Sequence, residues 1–277
     1  MPLGKLGVWT TYRQIGEENA GGAARLVEEC GYDAFWLGGS PQLSQVRPLL
    51  EATERIVVGT SIVNIWATDP ADLVAEYAAL APEYGERLIV GIGVGHPEAT
   101  SDYARPLRPM REFLDAIDAA PDPIPSERRA LAALGPKMLD LAGERSAGTL
   151  PYFVPVEHTA AARERLGPQA LVATEVACVL DADPASARAT ARKYARLYLG
   201  LVNYTGNLRR LGFGDADLDD GGSDRLLDAV IPHGDPAEVA AALRGHLEAG
   251  ADHVAVQPIG GKGIPAAGWR ALAEQLR

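Results

Sequence analysis

Short apolar runs alternate with longer amphipathic segments along most of this chain. The runs are apolar at consecutive positions, as in residues 34–37 (AFWL) and 56–58 (IVV), rather than at every second position. A strand that is buried on both faces gives this pattern, whereas a half-exposed strand alternates apolar and polar residues. The pattern therefore predicts an α/β protein whose parallel sheet is covered by helices.

Eight strand–helix units are predicted, and they account for nearly all of the sequence. The predicted strands are 6–10, 33–37, 56–63, 88–93, 129–134, 148–153, 170–179 and 252–257. This number of units in about 250 residues favours a closed (β/α)8 TIM barrel that forms one domain over residues 1–277. An open, doubly wound sheet is the alternative. The two differ in whether the eighth strand returns to pair with the first.

Two segments depart from the alternation and are predicted as insertions after strands 4 and 7. The first, 97–127, is rich in proline and holds one helix near 109–119, while the second, 200–222, ends in an acidic run. Long insertions in compact domains often form lids or binding loops. For 200–222, a disordered surface loop is an equal alternative.

Composition narrows the class of protein and of partner. Hydrophobic residues make up 47% and charged residues 23%, as in globular domains with a sizeable core. The net charge of −11 argues against a nucleic acid or an anionic membrane as partner and leaves a small-molecule substrate open. Cys30 and Cys178 give no disulfide framework and are expected to be buried thiols. Without an apolar N-terminal run or a membrane-spanning stretch, we expect the protein in the cytoplasm.

The carboxyl ends of the predicted strands define the candidate ligand site, because barrel enzymes bind their ligands there. The residues at these ends are Trp9, Thr10, Gly38, Gly39, Ser40, 61–64, Gly95, His96, 134–136, His158, Gln257 and Pro258. Glycine, amide, hydroxyl and apolar groups dominate this set. It holds neither a pair of carboxylates for acid/base hydrolysis nor a His/Asp/Glu cluster suited to a metal. Such a site suits a flat aromatic cofactor whose own ring carries out the reaction.

Six motifs in this order make the chain resemble the bacterial luciferase-like superfamily of (β/α)8 oxidoreductases. Within it, the chain is most similar to the actinobacterial branch that uses the deazaflavin coenzyme F420. The motifs are 36–41 (WLGGSP), 59–66 (GTSIVNIW), 91–96 (GIGVGH), 133–139 (ALGPKML), 204–213 (YTGNLRRLGF) and 249–254 (AGADHV). The resemblance implies hydride transfer between reduced F420 and a small organic substrate.

The same resemblance implies which residues hold the cofactor. They are Gly38, Gly39, Ser61, Ile62, Asn64, Gly95, His96, Ala133, Leu134, Gly135 and Pro136. Ser61 and Ile62 stand where family members have a non-prolyl cis peptide bond behind the middle ring. Gly95, His96 and residues 133–136 would cradle the ribityl-phosphate side with backbone N–H groups, and the helix that starts at Pro136 adds a favourable dipole.

The chain departs from the deazaflavin-dependent sugar-phosphate dehydrogenases of this superfamily. Those enzymes have Asp-His after the second strand and Glu after the fourth, where this chain has Gly38-Gly39 and His96. Their acid/base pair is therefore missing, and their substrate is not carried over. His96 is the candidate catalytic proton donor, because histidine titrates near neutral pH. The alternative is that it binds the cofactor phosphate or caps the following loop.

Three aromatic residues, Trp9, Trp66 and Tyr204, are assigned to the substrate space, although both tryptophans are equally well explained as core residues. The leading hypothesis is an F420-dependent oxidoreductase. One alternative is an FMN-dependent monooxygenase with a separate reductase. Another is a barrel that binds a flavin or an apolar ligand without turnover. The resemblance also implies a homodimer.

Overall fold

The computed structural model describes residues 3–95 and 106–276. Its strands are Leu6–Thr11 (β1), Ala34–Gly38 (β2), Val57–Ser61 (β3), Val63–Asn64 (β4), Leu88–Gly93 (β5), Arg129–Leu131 (β6), Gly148–Thr149 (β7), Leu171–Leu180 (β8), His233–Gly234 (β9) and His253–Pro258 (β10). Its α-helices are Tyr12–Ile15 (α1), Ala20–Glu29 (α2), Arg47–Glu51 (α3), Pro70–Tyr84 (α4), Leu107–Asp118 (α5), Pro136–Arg145 (α6), Val156–Leu166 (α7), Pro184–Leu199 (α8), Val202–Arg210 (α9), Asp215–Leu218 (α10), Asp224–Val230 (α11), Pro236–Glu248 (α12) and Ala266–Leu276 (α13).

The strands close into a parallel barrel. Around the barrel the order is β10-β1-β2-β3-β5-β6-β7-β8, and β10 pairs with both β1 and β8. β4 continues β3 after a break, and β9 pairs with the end of β8. The eighth predicted strand, β10, thus returns to the first, with Val254 opposite Leu6. The predicted (β/α)8 barrel is confirmed, and the open-sheet alternative is wrong.

Three helices begin at an Asp-Pro pair, which explains their sharp boundaries. Asp69 caps α4 by accepting a hydrogen bond from the N–H of Ala71 at 2.8 Å. Asp183 and Asp235 cap α8 and α12 in the same way. The proline follows in the first turn, where its missing N–H is not needed. The three helices accordingly begin at Pro70, Pro184 and Pro236.

Both faces of the barrel strands are buried, which is why they read as continuous apolar runs. In β2, Phe35 and Leu37 belong to the main core that the strands share with the helices. Ala34 and Trp36, at the alternate positions, belong to a separate cluster inside the barrel. A two-sided environment of this kind removes the polar/apolar alternation of half-exposed strands.

Two rings, those of Trp36 and His253, fill the barrel interior beneath the site, and we call them the closed layer. A Cβ on Gly59 would lie 2.5 Å from Cζ3 of Trp36, and one on Gly7 would lie 2.5 Å from Nε2 of His253. The two glycines therefore make room for the rings. The indole N–H of Trp36 donates to Nε2 of His253 at 3.0 Å, and the Nδ1–H of His253 donates to the carbonyl oxygen of Gly4.

The segment 200–222 is mostly helical rather than an irregular loop. It contains α9, α10 and a short 3-10 helix at Asp219–Gly221. Tyr204 and Leu208 of α9 are buried in a second apolar cluster with side chains of α8 and α11, so the disordered-loop alternative is wrong here. The other predicted insertion lies partly in 96–105, outside the described residues, but its helix is confirmed as α5.

Candidate active site

A cavity of about 1270 Å³ opens at the carboxyl ends of the barrel strands. Of the residues assigned to a site from the sequence, those that line it are Gly38, Gly39, Ser61, Ile62, Asn64, Gly95, Ala133, Leu134, Gly135, Pro136, Trp9 and Tyr204. Ligand pockets commonly measure roughly 300–1,000 Å³, so this one has room for a cofactor ring and a substrate together. His96 lies outside the described residues, and its role stays a prediction.

Trp9 forms one wall of the cavity because Gly38 leaves room for it. A Cβ on Gly38 would lie 1.9 Å from Cζ2 of Trp9, so any side chain at position 38 displaces the indole. The indole also stacks on Tyr152, with the ring centroids 5.9 Å apart and the planes at 14°. Among the described residues, its N–H has no hydrogen-bond partner. Among the described residues, the Trp9 indole is therefore held by ring packing and not by a hydrogen bond.

Strand β3 breaks at the cavity, after Ser61. The pairing with β5 shifts by one residue between β3 and β4, so the break is a bulge. The Ser61–Ile62 peptide bond is cis, as the resemblance implies. The Ile62 side chain packs onto Gly93, where a Cβ would lie 2.7 Å from its Cγ1. The bulge presents Ser61 and Ile62 to the cavity.

The loop after β4 explains why Trp66 is not among the residues that line the cavity. Its backbone N–H donates to Oδ1 of Asn64 at 3.0 Å, and its indole N–H donates to the carbonyl oxygen of Val94 at 2.8 Å. Trp66 thus ties the loop to the end of β5, and its assignment to the substrate space stays a prediction. Asn64 does line the cavity and lies against Gly95, where a Cβ would be 2.8 Å from its Nδ2.

The start of α6 forms the opposite rim. This helix begins at Pro136 after Gly135, and no side chain caps its first turn. The guanidinium of Arg210, on α9, lies beside Gly135, with Nη2 3.7 Å from the place of a Cβ there. Arg210 and Lys137 both line the cavity. An uncapped helix start beside two cations is suited to an anionic group.

A wall of tyrosines on the β8 side was not predicted from the sequence. The Tyr152 and Tyr194 hydroxyls both donate to Oε1 of Gln257, at 2.9 and 3.0 Å. The Tyr194 and Tyr198 hydroxyls are 3.1 Å apart. Tyr152 and Tyr198 line the cavity. The available signal was the four-residue spacing of Tyr194 and Tyr198, which puts both rings on one face of α8.

Glu175 was also missed, although it is a charged residue inside the apolar run of β8 (LVATEVACVL). Its side chain lines the cavity and is buried, and it accepts a hydrogen bond from the Ser61 hydroxyl. Burial raises the pKa of the Glu175 carboxyl to about 8, while the Ser61 hydrogen bond acts weakly in the other direction. The site therefore contains a carboxyl group that is mostly protonated at neutral pH.

The described lining of the cavity is positively charged although the whole chain is acidic. Its cationic side chains are Arg13, Arg108, Arg111, Lys137 and Arg210, and Glu175 is its one acidic residue. Arg108 pairs with Glu112 at 2.7 Å and Arg111 with Glu144 at 3.6 Å. Among the described residues, the other three cations have no carboxylate partner. A local positive field of this kind attracts anionic ligands in spite of a net charge of −11.

His158 does not line this cavity. It is buried in the first turn of α7, with Nδ1 3.3 Å from the side-chain nitrogen of Asn207. Burial lowers the pKa of His158 to about 4. Among the described residues, His158 is therefore a helix-start residue outside the cavity.

The described part of the chain has no helix long and apolar enough to cross a membrane. Its architecture is that of a TIM barrel, with the cavity at the carboxyl ends of the strands. The chain belongs to the luciferase-like monooxygenase family, whose profile matches residues 3–253. Membership makes it an enzyme of this oxidoreductase family rather than a ligand-binding barrel without turnover.

A curated relative is the 5,10-methylenetetrahydromethanopterin reductase of Methanolobus tindarius, which is 27% identical over 208 residues. The match covers 61% of this chain and 64% of that reductase, so it spans less than two thirds of the relative's length.

Two solved structures illustrate the range of cofactors on this fold. An F420-dependent secondary alcohol dehydrogenase, in complex with an F420–acetone adduct, is 15% identical, with 99% of both chains covered and a TM-score of 0.76. The oxygenating constituent of 3,6-diketocamphane monooxygenase from Pseudomonas putida, in complex with FMN, is 15% identical, with 92% of this chain and 91% of that chain covered and a TM-score of 0.64. At these identities the likeness shows a shared fold and nothing further. The homodimer stays a prediction.

Proposed function

We propose that this enzyme binds the deazaflavin coenzyme F420 and transfers a hydride between it and a small organic molecule. The observation that carries the proposal is the division of one cavity into two parts. Its interior is lined mainly by glycine, aromatic and apolar residues, with Ser61 and Glu175 as buried polar groups, and its exposed rim carries cations. A flat ring suits the interior and an anionic tail suits the rim.

The residues present fit such a cofactor. Gly38 and Gly39 offer bare backbone beside the cavity, and the bulge at Ser61–Ile62 offers a platform for a ring. Arg210 and Lys137, next to the start of α6, would hold a phosphate group. When bound, F420 would supply the hydride-transferring ring, and the protein would orient it and exclude water.

The spread of the cations favours F420 over FMN. Arg13 follows β1, Lys137 starts α6 and Arg210 ends α9, so cations without a carboxylate partner among the described residues approach the cavity from three elements. FMN ends in a single phosphate, whereas the tail of F420 carries a phosphodiester and then carboxylates. A ligand with several anionic groups makes use of all three cations. The F420-dependent relatives support the same choice.

The second candidate is an FMN-dependent monooxygenase served by a separate reductase. The family description and the likeness to an FMN-bound monooxygenase favour it. Oxygen consumption on adding reduced FMN, measured with a panel of candidate substrates, would support this function over hydride transfer from F420.

Titration of the purified protein with F420 and with FMN, followed by fluorescence or calorimetry, tests the proposal. We expect F420 to bind at least about tenfold more tightly than FMN, a difference of about 1.4 kcal/mol. Submicromolar binding of FMN without any binding of F420 would overturn it.

Two neighbouring arginines provide a matched control for the anionic tail. Arg210 lines the cavity, whereas Arg209 is exposed, pairs with Asp215 at 2.8 Å and is not part of the lining. We expect Arg210→Gln to weaken F420 binding roughly fivefold, and less so at high salt, because an exposed charge contact is screened. Arg209→Gln should leave the affinity unchanged. Equal effects of the two variants would argue against a tail at the α6 rim.

A further inference from the structure

Glu175 occupies a special position in the cavity. It lies in β8, beside Tyr152, with which it forms a parallel bridge, and its side chain is only 5% exposed. The Ser61 hydroxyl reaches it from β3, which stands on the opposite side of the barrel. Glu175 and Ser61 thus span the interior and form the polar part of the cavity floor.

The carboxyl of Glu175 has little to stabilise its charged form. Among the described residues, Ser61 is its one side-chain hydrogen-bond partner, and no cation lies within salt-bridge distance. The titratable groups that face it are tyrosines: Tyr152 from the neighbouring strand end and Tyr198 from α8. A buried carboxyl in such surroundings stays neutral, because ionisation without a partner is unfavourable.

A neutral carboxyl can both donate and accept a hydrogen bond. It carries one O–H donor, and its Oε1 already accepts from Ser61. The bulge that presents Ser61 also presents Ile62, and Glu175, in contact with Ser61, lies next to that platform. Flavin and deazaflavin rings carry carbonyl and ring-nitrogen acceptors along one edge.

We propose that Glu175, in its protonated form, donates a hydrogen bond to an acceptor atom on the ring of the bound cofactor, and that Ser61 positions the carboxyl for this contact. The proposal rests on the proposed function. It implies that the cavity floor selects heteroaromatic rings that have a hydrogen-bond acceptor at the edge. It also predicts that the cofactor affinity falls when the carboxyl ionises.

Two variants separate hydrogen-bond donation from ionisation. Glu175→Gln keeps a donor, in its amide N–H, but has no titratable proton. Glu175→Met keeps a similar length but has no donor. The affinity for F420, with FMN as a second probe, is measured by fluorescence from pH 6 to pH 9, and circular dichroism checks the fold of each variant.

For the wild type we expect an affinity that is constant to about pH 7 and falls severalfold by pH 9. Glu175→Gln should bind within about threefold of the wild type at pH 7 and lose the alkaline decline. Glu175→Met should bind about tenfold more weakly at all pH values, because the acceptor on the ring loses its partner.

Infrared difference spectra on adding F420 give an independent readout. The stretching band of a protonated carboxyl should shift in the wild type and be missing in both variants. An unshifted band, or an alkaline decline that persists in Glu175→Gln, would overturn the role of Glu175 while leaving the proposed function intact. If the wild type binds neither F420 nor FMN, both proposals fail.

Discussion

His253 in the closed layer and Glu175 at the cavity floor are both ionisable side chains of the barrel interior, and they are held in different ways. Burial shifts the pKa of each group toward its neutral form: that of His253 falls to about 4, and that of Glu175 rises to about 8. His253 has partners on both ring nitrogens, Trp36 and the carbonyl of Gly4. Glu175 has Ser61 alone among the described residues.

The partners of His253 also fix its protonation state. An indole N–H can only donate, so Nε2 must accept, and a carbonyl oxygen can only accept, so Nδ1 must carry the proton. The ring is locked in one neutral tautomer and has no capacity left for a ligand. Glu175, with a single partner and an open cavity beside it, keeps that capacity. The number of partners thus separates a structural group from one available to a ligand.

Acid should have the largest effect on stability. Burial lowers the pKa of His158, His246 and His253 from 6.5 to about 4. The unfolded chain takes up these protons below pH 6.5 and the folded chain only near pH 4, so stability falls with pH in that window. Each histidine should lower the free energy of unfolding by about 2–3 kcal/mol between pH 7 and pH 4.5. Urea unfolding at the two pH values measures this loss. In His253→Gln the loss should be smaller by about 2–3 kcal/mol, and an unchanged loss would contradict the locked tautomer.

Alkaline pH should lower the stability through Glu175. The Glu175 carboxyl ionises above pH 4.5 in the unfolded chain but only above about pH 8 in the folded one. Its contribution therefore falls as pH rises from 4.5 to 8 and then levels off. Removing the titration in Glu175→Gln should raise the unfolding free energy at pH 8.5 by up to about 4–5 kcal/mol relative to the wild type, and by almost nothing at pH 4. A gain of equal size at both pH values would show that packing, not ionisation, is responsible.

The two tryptophans of the interior offer the next comparison. Trp36→Phe opens a void in the closed layer and leaves Nε2 of His253 without its donor, which should cost about 2–4 kcal/mol. Trp9→Phe removes an indole whose N–H has no partner among the described residues, so it should cost about 1 kcal/mol and mainly change ligand affinity. Denaturant unfolding of both variants, with F420 titration, measures the difference. Equal stability losses would show that the cavity wall is packed as tightly as the closed layer.

Removing the partner of Glu175 should have the smallest effect. Ser61→Ala deletes one hydrogen bond, with an expected loss of about 1 kcal/mol at pH 6. The hydroxyl favours the charged carboxyl, so its loss should move the pKa of Glu175 further upward. Carboxyl infrared titration measures the shift, with the exposed, remote Ser126→Ala as control. A downward shift would mean that Ser61 favours the neutral form instead.

The barrel could be predicted from the sequence because its causes are local. Strands buried on both faces read as apolar runs, and Asp69-Pro70 marks a helix start. The glycine-rich strand ends also pointed to Gly38 and Gly95, and both residues line the cavity.

The polar floor could not be predicted because its cause is not local. Ser61 and Glu175 are 114 positions apart in the sequence and meet only across the closed barrel. Trp66 shows the converse. It is close in sequence to Asn64 of the site, but its indole donates a hydrogen bond to Val94 and is not part of the described cavity lining. Which way a side chain points at a strand end depends on loop geometry that residue type does not specify.

Barrel closure by β10 has a consequence for the synthesis of the protein. His253–Pro258 is made after both of the strands that it joins, β1 and β8. Until it emerges, the nascent chain holds an open sheet with two unpaired edges, which are templates for aggregation. Any nascent chain that stalls before His253 exposes the edges of β1 and β8 and has no finished cavity. Synthesis of β10 is therefore the step that covers both edges.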